Sequence, residues 1–153
     1  VASSGDDSEA RTGRVIAADW FTGRKRPLLA PFGVGTIDQT LLGVLQTKHW
    51  FVRLFALSGK VVVFDEVHAY DTYMGTLLET LIAWLSALDC TVILLSATLP
   101  AGKRTKMVDA YRSGANLPEP APAYPRLTFV PRDAALPPVA ETIPAPANAR
   151  TKT

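Results

Sequence analysis

The chain has 153 residues, 48% hydrophobic and 20% charged, which suits one globular domain and not a disordered or fibrous chain. Sixteen Lys+Arg against fourteen Asp+Glu leave a net charge of +2, too little by itself to imply a polyanionic partner. A single cysteine, Cys90, excludes an internal disulfide and fits a reducing cytoplasm, and no apolar run approaches the roughly 18 residues of a membrane helix.

Taken in chain order, residues 1–13 are polar and acidic, unlike a secretory signal, and are expected to be loose. Residues 14–117 are then left to build the core. Residues 28–34 read as a weak strand. Thr36-Ile37-Asp38-Gln39 reads as a capping box opening a helix over residues 38–45, and a second helix is expected over 49–57. Trp50, Phe51 and Phe55, with Trp84 further on, recur at helical spacing with leucines and are assigned to core packing rather than base stacking. Val61–Phe64 is a continuous β-branched and aromatic run, the pattern of a strand covered on both faces. Asp71 is a plausible N-cap for the helix whose apolar stripe is Met74, Leu77, Leu78, Leu81, Ile82, Leu85 and Leu88.

Residues 91–95 form a second apolar run. Strand, amphipathic helix and strand over about thirty residues is a βαβ unit, so the sheet is expected to be parallel and the class α/β. Pro100 precedes a further helix over residues 103–111. Nine of the twelve prolines lie from Pro118 onward, so residues 118–153 are expected to be an extended linker or disordered tail, except for a short strand near residues 127–130. No internal repeat is visible.

Ligands of parallel α/β sheets sit beyond the carboxyl ends of the strands. The first strong strand ends there in Asp65-Glu66-Val67-His68. In a nucleotide hydrolase the first carboxylate holds Mg²⁺, usually through water, and the second orients and deprotonates the attacking water. The bland alternative, an acidic pair opening a solvated turn, is weakened by Ser96-Ala97-Thr98 after the next strand. Ser96 follows Asp65 by 31 residues, one βαβ unit, which puts both segments at one edge of the sheet. The hydroxyls of Ser96 and Thr98 could then bond to His68 or a carboxylate. Two histidines and one cysteine do not assemble a zinc site.

The runs Val63-Phe64-Asp65-Glu66-Val67-His68 and Ser96-Ala97-Thr98-Leu99-Pro100 resemble motifs II and III of superfamily-two helicases. Longer stretches narrow the resemblance to the helicase–nuclease of type I CRISPR interference. These are Trp20-Phe21-Thr22-Gly23-Arg24-Lys25-Arg26, the run from Ala30 through Gly35 to Gln39, His68-Ala69-Tyr70-Asp71, Ala110-Tyr111 and Tyr124-Pro125-Arg126. The resemblance implies a partial RecA-like sheet of the P-loop NTPase type with flanking helices, followed by the proline-rich tail. It implies ATP and Mg²⁺ as cofactors, with single-stranded DNA and a guide-RNA surveillance complex as partners, and an antiviral, cytoplasmic role. Asp65 would be the Mg²⁺-associated carboxylate, acting through water, and Glu66 the catalytic base. His68 would couple the γ-phosphate to the motor, and Ser96, Ala97 and Thr98 would link hydrolysis to strand movement. Thr36, Asp38 and Gln39 would face the tracked DNA strand, which is compatible with their place at a helix N-terminus. Arg24-Lys25-Arg26 reads either as a phosphate-neutralising patch or as a solvated turn.

A P-loop needs G-x-x-x-x-G-K-[ST], and neither Gly59-Lys60 nor Gly102-Lys103 satisfies it. The family's nuclease histidines and second motor domain are not in this sequence either. The expectation is therefore the carboxyl part of a first motor domain with the start of a linker. Such a chain alone should neither hydrolyse ATP nor unwind DNA, should be marginally stable, and should expose sheet edge and the sides of Val61–Phe64. Two alternatives stay open here: another superfamily-two ATPase acting on RNA or duplex DNA, and a non-catalytic interaction module with a vestigial DEVH segment.

Overall fold

A computed structural model describes residues 29–119 and 121–144. The element order is α1 (Ile37–Val44), α2 (Trp50–Leu57), β1 (Val61–Phe64), a 3-10 turn (Val67–Ala69), α3 (Thr72–Ala87), β2 (Thr91–Leu94), α4 (Ala101–Tyr111), β3 (Arg126–Phe129) and β4 (Val139–Thr142). The run Trp20–Arg26 lies outside the described residues.

The βαβ unit forms as its periodicity dictates. β1 and β2 pair in parallel, in register from Val61↔Thr91 to Phe64↔Leu94, with α3 as the crossover. Asp71 caps α3: its Oδ1 accepts the Met74 N–H at 2.8 Å. Removing that acceptor leaves an orphan helix N–H, so Asp71→Ala is expected to cost about 1 kcal/mol. A urea titration checks this, as a lowered midpoint at unchanged slope.

The core lies between α3 and the elements around it, which are α1, α4 and β2. Leu78, Leu81, Ile82 and Leu85 of α3 are fully buried with Val67 and Cys90, and Leu41, Leu54, Val62, Phe64 and Met107 complete the cluster. At the turn before β1, Gly59 has φ +69° and donates its N–H to the Leu88 carbonyl at 3.0 Å. That contact ties the start of β1 to the start of β2, and a left-handed φ there favours glycine.

Four expectations need correction. Residues 29–36 form no strand; Pro31, Gly33 and Gly35 interrupt the run, and Phe32 and Val34 face solvent. Second, β1 is covered on one face among the described residues. Val62 and Phe64 are buried, whereas Val61, Val63 and, on β2, Ile93 are exposed. The sides of Val61 and Val63 are thus open, as expected for this strand.

Third, the aromatic residues of α2 are not all core. Trp84 is half-buried beside Trp50, with ring centroids 6.1 Å apart, but Phe51 and Phe55 are 59% and 73% exposed. An eight-residue helix with two apolar faces buried the one carrying Leu54 and left the other outside. Periodicity cannot say which of two apolar faces turns inward.

Fourth, the proline-rich region is not uniformly extended. β3 covers the expected strand, and β4 pairs with it in antiparallel register from Arg126↔Thr142 to Phe129↔Val139. Pro125, Pro131, Pro137 and Pro138 flank the two strands and sit in neither, so no ladder donor is lost. The loop between them is held to the βαβ unit. Nη1 of Arg112 approaches the carbonyls of Pro131, Asp133 and Leu136, each at 2.8 Å, and Arg132 pairs with Asp89 and the Ser86 carbonyl.

Candidate functional site

The carboxyl ends of β1 and β2 lie side by side because the strands are parallel and in register. After Phe64 the chain turns at once into the 3-10 segment, and Val67 buries its side chain completely while donating its N–H to Leu95 at 3.1 Å. Leu95 in turn donates to the Phe64 carbonyl at 2.8 Å. These two backbone bonds fix the Asp65–His68 turn against the Ser96 segment.

Asp65, Glu66, His68 and Ser96 therefore meet at one rim. His68 Nδ1 lies 3.3 Å from Ser96 Oγ, and His68 Nε2 lies 3.1 Å from Glu66 Oε2. Ser96 Oγ also donates to the Thr98 carbonyl at 3.0 Å. One hydroxyl proton serves one acceptor at a time. Ser96 either donates to Thr98 and accepts from the imidazole, or donates to the imidazole. Either way, polar contacts link Glu66, His68 and Ser96, and in the first arrangement the chain extends to Thr98. Thr98 joins it through its backbone carbonyl, and Ala97 occupies the bend between them.

Glu66 adopts a left-handed conformation, φ 56° and ψ 37°, rare for a residue with a Cβ. Its N–H donates to its neighbour's Asp65 Oδ1 at 2.8 Å. That bond occupies one oxygen of Asp65. Among the described residues no group of three His, Cys, Asp or Glu side chains converges to hold a metal. A dedicated protein cage is therefore absent there. A single exposed carboxylate fits the looser role, contact with a Mg²⁺ ion through its hydration shell.

Two residues to which the sequence assigned no role belong to this rim. The Tyr70 hydroxyl donates to the Asp65 carbonyl at 3.2 Å, and Lys103 Nζ donates to the Tyr70 carbonyl at 2.8 Å. Burial raises the Tyr70 phenol above its ordinary range, with Asp65, Asp38 and Glu66 adding in that order. The phenol thus keeps its proton, and remains a donor, throughout the neutral range. Asp38 lies within electrostatic reach of the same phenol, so the start of α1 sits on this side of the molecule.

The remaining members of the α1 segment stand apart from the turn. Thr36 takes the N-cap position, but its side chain makes no capping bond, so the expected capping box does not form. Gln39 is engaged by Arg53 instead: Nη1 donates to its side-chain oxygen at 3.0 Å and to its carbonyl at 3.1 Å. Thr36, Asp38 and Gln39 are all exposed. Nothing in residues 36–39 announced the α2 arginine, which arrives through packing of α1 on α2.

No protein-family profile matches the chain. Individual relatives do. The chain is 47% identical over 122 residues to the CRISPR-associated endonuclease/helicase Cas3 of Thermus thermophilus, a match that takes in 80% of this chain and 13% of that protein. A structure of T. fusca Cas3 with ATP superposes with a TM-score of 0.60 at 59% identity, over 63% of this chain and 11% of that one. A CRISPR RNA-guided surveillance complex in a pre-nicking state contains a chain that superposes at TM-score 0.69 and 44% identity, over 87% of this chain and 17% of that one. The chain thus spans 12–13% of the length of the curated relatives it matches. No described helix is long and apolar enough to cross a membrane. With the DEVH and SAT segments meeting at one sheet edge in a RecA-like α/β fold, this chain is a segment of the type I CRISPR-associated Cas3 helicase–nuclease kind.

Proposed function

We propose that this segment forms part of the first motor domain of an ATP-driven single-stranded-DNA translocase acting in type I CRISPR interference. The observation that carries the reading is the polar chain from Glu66 through His68 to Ser96, with contacts of 3.1 and 3.3 Å. It joins a hydrolytic carboxylate to the segment after the next strand, as a machine that converts hydrolysis into movement requires.

ATP bound with Mg²⁺ supplies the γ-phosphate and its charge neutralisation. Asp65 holds the ion's water shell, and Glu66 takes the proton of the attacking water on its carboxylate. His68 donates to Glu66 Oε2 and so orients that carboxylate. Ser96 and Thr98 receive any change at the imidazole and pass it along the backbone toward α4. Thr36, Asp38 and Gln39 are exposed, with Asp38 in electrostatic reach of Tyr70, and in this reading they face the DNA strand. The likeness to a chain in a structure of a CRISPR RNA-guided surveillance complex supports recruitment by such a complex.

ATPase assays on a full-length protein carrying this segment test the reading. Hydrolysis stimulated by single-stranded DNA and not by RNA is the expected result. Stimulation by RNA in preference to DNA would favour a different superfamily-two motor, and absence of any ATPase would favour an interaction module. The 153-residue chain, which carries no P-loop motif, is expected to hydrolyse no ATP by itself.

A further inference from the structure

Glu66 poses a physical problem that the motor reading leaves unanswered. A left-handed backbone is unfavourable for a residue with a Cβ, and relaxation to an ordinary conformation would swing its carboxylate away. Something must hold it. Within the turn, the Glu66 carbonyl accepts the Ala69 N–H at 3.0 Å, and its N–H is taken by Asp65. Both bonds lie inside the segment and would move with it.

Two bonds anchor the segment at its ends. The Tyr70 hydroxyl reaches back five residues to the Asp65 carbonyl, closing the turn into a loop around Glu66. Lys103, on the first turn of α4, donates a charge-assisted bond to the Tyr70 carbonyl. Tyr70 is partly buried against the core, so its ring is not free to swing. Beyond the backbone bonds of Leu95 to Phe64 and Val67, the DEVH turn is therefore joined to the segment after β2 by side chains, through Ser96 to His68 and through α4 to Tyr70.

We propose that Tyr70, secured by Lys103, is a positioning residue that keeps the Glu66 carboxylate in its working place. The inference rests on the motor reading above and deepens it. Neither side chain touches the reacting atoms; each acts through the backbone that carries Glu66. A shift of about 1 Å at a reacting group can cost on the order of a hundredfold in rate, so a partial loosening should be visible in turnover.

The test uses a full-length protein carrying this segment, with Tyr70→Phe, Lys103→Met and Lys103→Arg compared with wild type. Tyr70→Phe keeps the packed ring and removes only the hydroxyl. Lys103→Met keeps the stem and removes the donor. Each is expected to lower DNA-stimulated kcat by about tenfold, with KM for ATP and the melting temperature unchanged. Hydrogen exchange at the amides of residues 66–69 should accelerate in both, and Lys103→Arg should recover most of kcat. Unchanged kcat in Tyr70→Phe and Lys103→Met would overturn the proposal, and so would a fall in kcat that tracks equal losses in ATP affinity and melting temperature. Unchanged exchange at residues 66–69 would remove the brace whatever the kinetics. A wild-type protein without ATPase activity would instead sink the motor reading and this inference with it, whereas an active wild type with unaffected variants sinks only the brace.

Discussion

Glu66→Gln in a full-length protein is expected to bind ATP normally and to lose turnover by about 10²- to 10⁴-fold, the usual contribution of a positioned general base. The amide preserves the shape of the side chain and can still accept the His68 Nε2–H, so the 3.1 Å contact survives. What disappears is the capacity to take a proton. Equilibrium binding of a fluorescent ATP analogue beside steady-state hydrolysis separates the two effects. Near wild-type hydrolysis in this variant would remove Glu66 from the base role. A parallel loss of binding would mean that the substitution had disturbed the left-handed turn.

The largest effect on stability is expected at the centre of α3. Leu81 is fully buried among Leu78, Ile82, Leu85 and their partners on neighbouring elements. Truncating it to alanine forfeits its transfer free energy and leaves a cavity that the surrounding helices fill only in part. The cost is about 2–5 kcal/mol. Domains of this size have net stabilities of about 5–15 kcal/mol, and a sheet with one open face belongs at the low end. Leu81→Ala in the 153-residue chain should therefore unfold it largely or completely, read as lost α-helical circular dichroism and a collapsed urea midpoint. Leu127→Ala is the control. Leu127 is half-exposed on β3, and its truncation should move the midpoint little. Similar losses at both positions would mean that α3 does not organise the core.

The fate of α2 and of the proline-rich region shows where sequence patterns stop being decisive. Trp50, Phe51, Leu54, Phe55 and Leu57 offer an apolar surface nearly all round a short helix. Burial of Leu54 rather than Phe55 was settled by where α1 and α3 lie. The prolines after residue 117 do forbid a continuous ladder. They do not forbid two four-residue strands between them, and Arg112, 19 to 24 residues away along the chain, supplies the anchor that makes the intervening loop fold back. Such long-range hydrogen bonds have no local signature.

At the rim, the residue types and their spacing were legible from the start. A hydrophobic strand ending in Asp65-Glu66, and a second ending before Ser96 one crossover later, must bring those groups to one sheet edge, because parallel pairing leaves no other arrangement. The sequence by itself thus determined the α/β class, the βαβ unit, the Asp71 cap and the company that Glu66, His68 and Ser96 keep. Each of these follows from periodicity or from contacts between near neighbours. Only the tertiary structure decided that Glu66 turns left-handed, that Thr36 leaves its helix uncapped while Gln39 binds Arg53, and that Tyr70 and Lys103 close the turn. Those outcomes depend on side chains from separate elements competing for the same donors and acceptors, and that competition is resolved by packing, not by order along the chain.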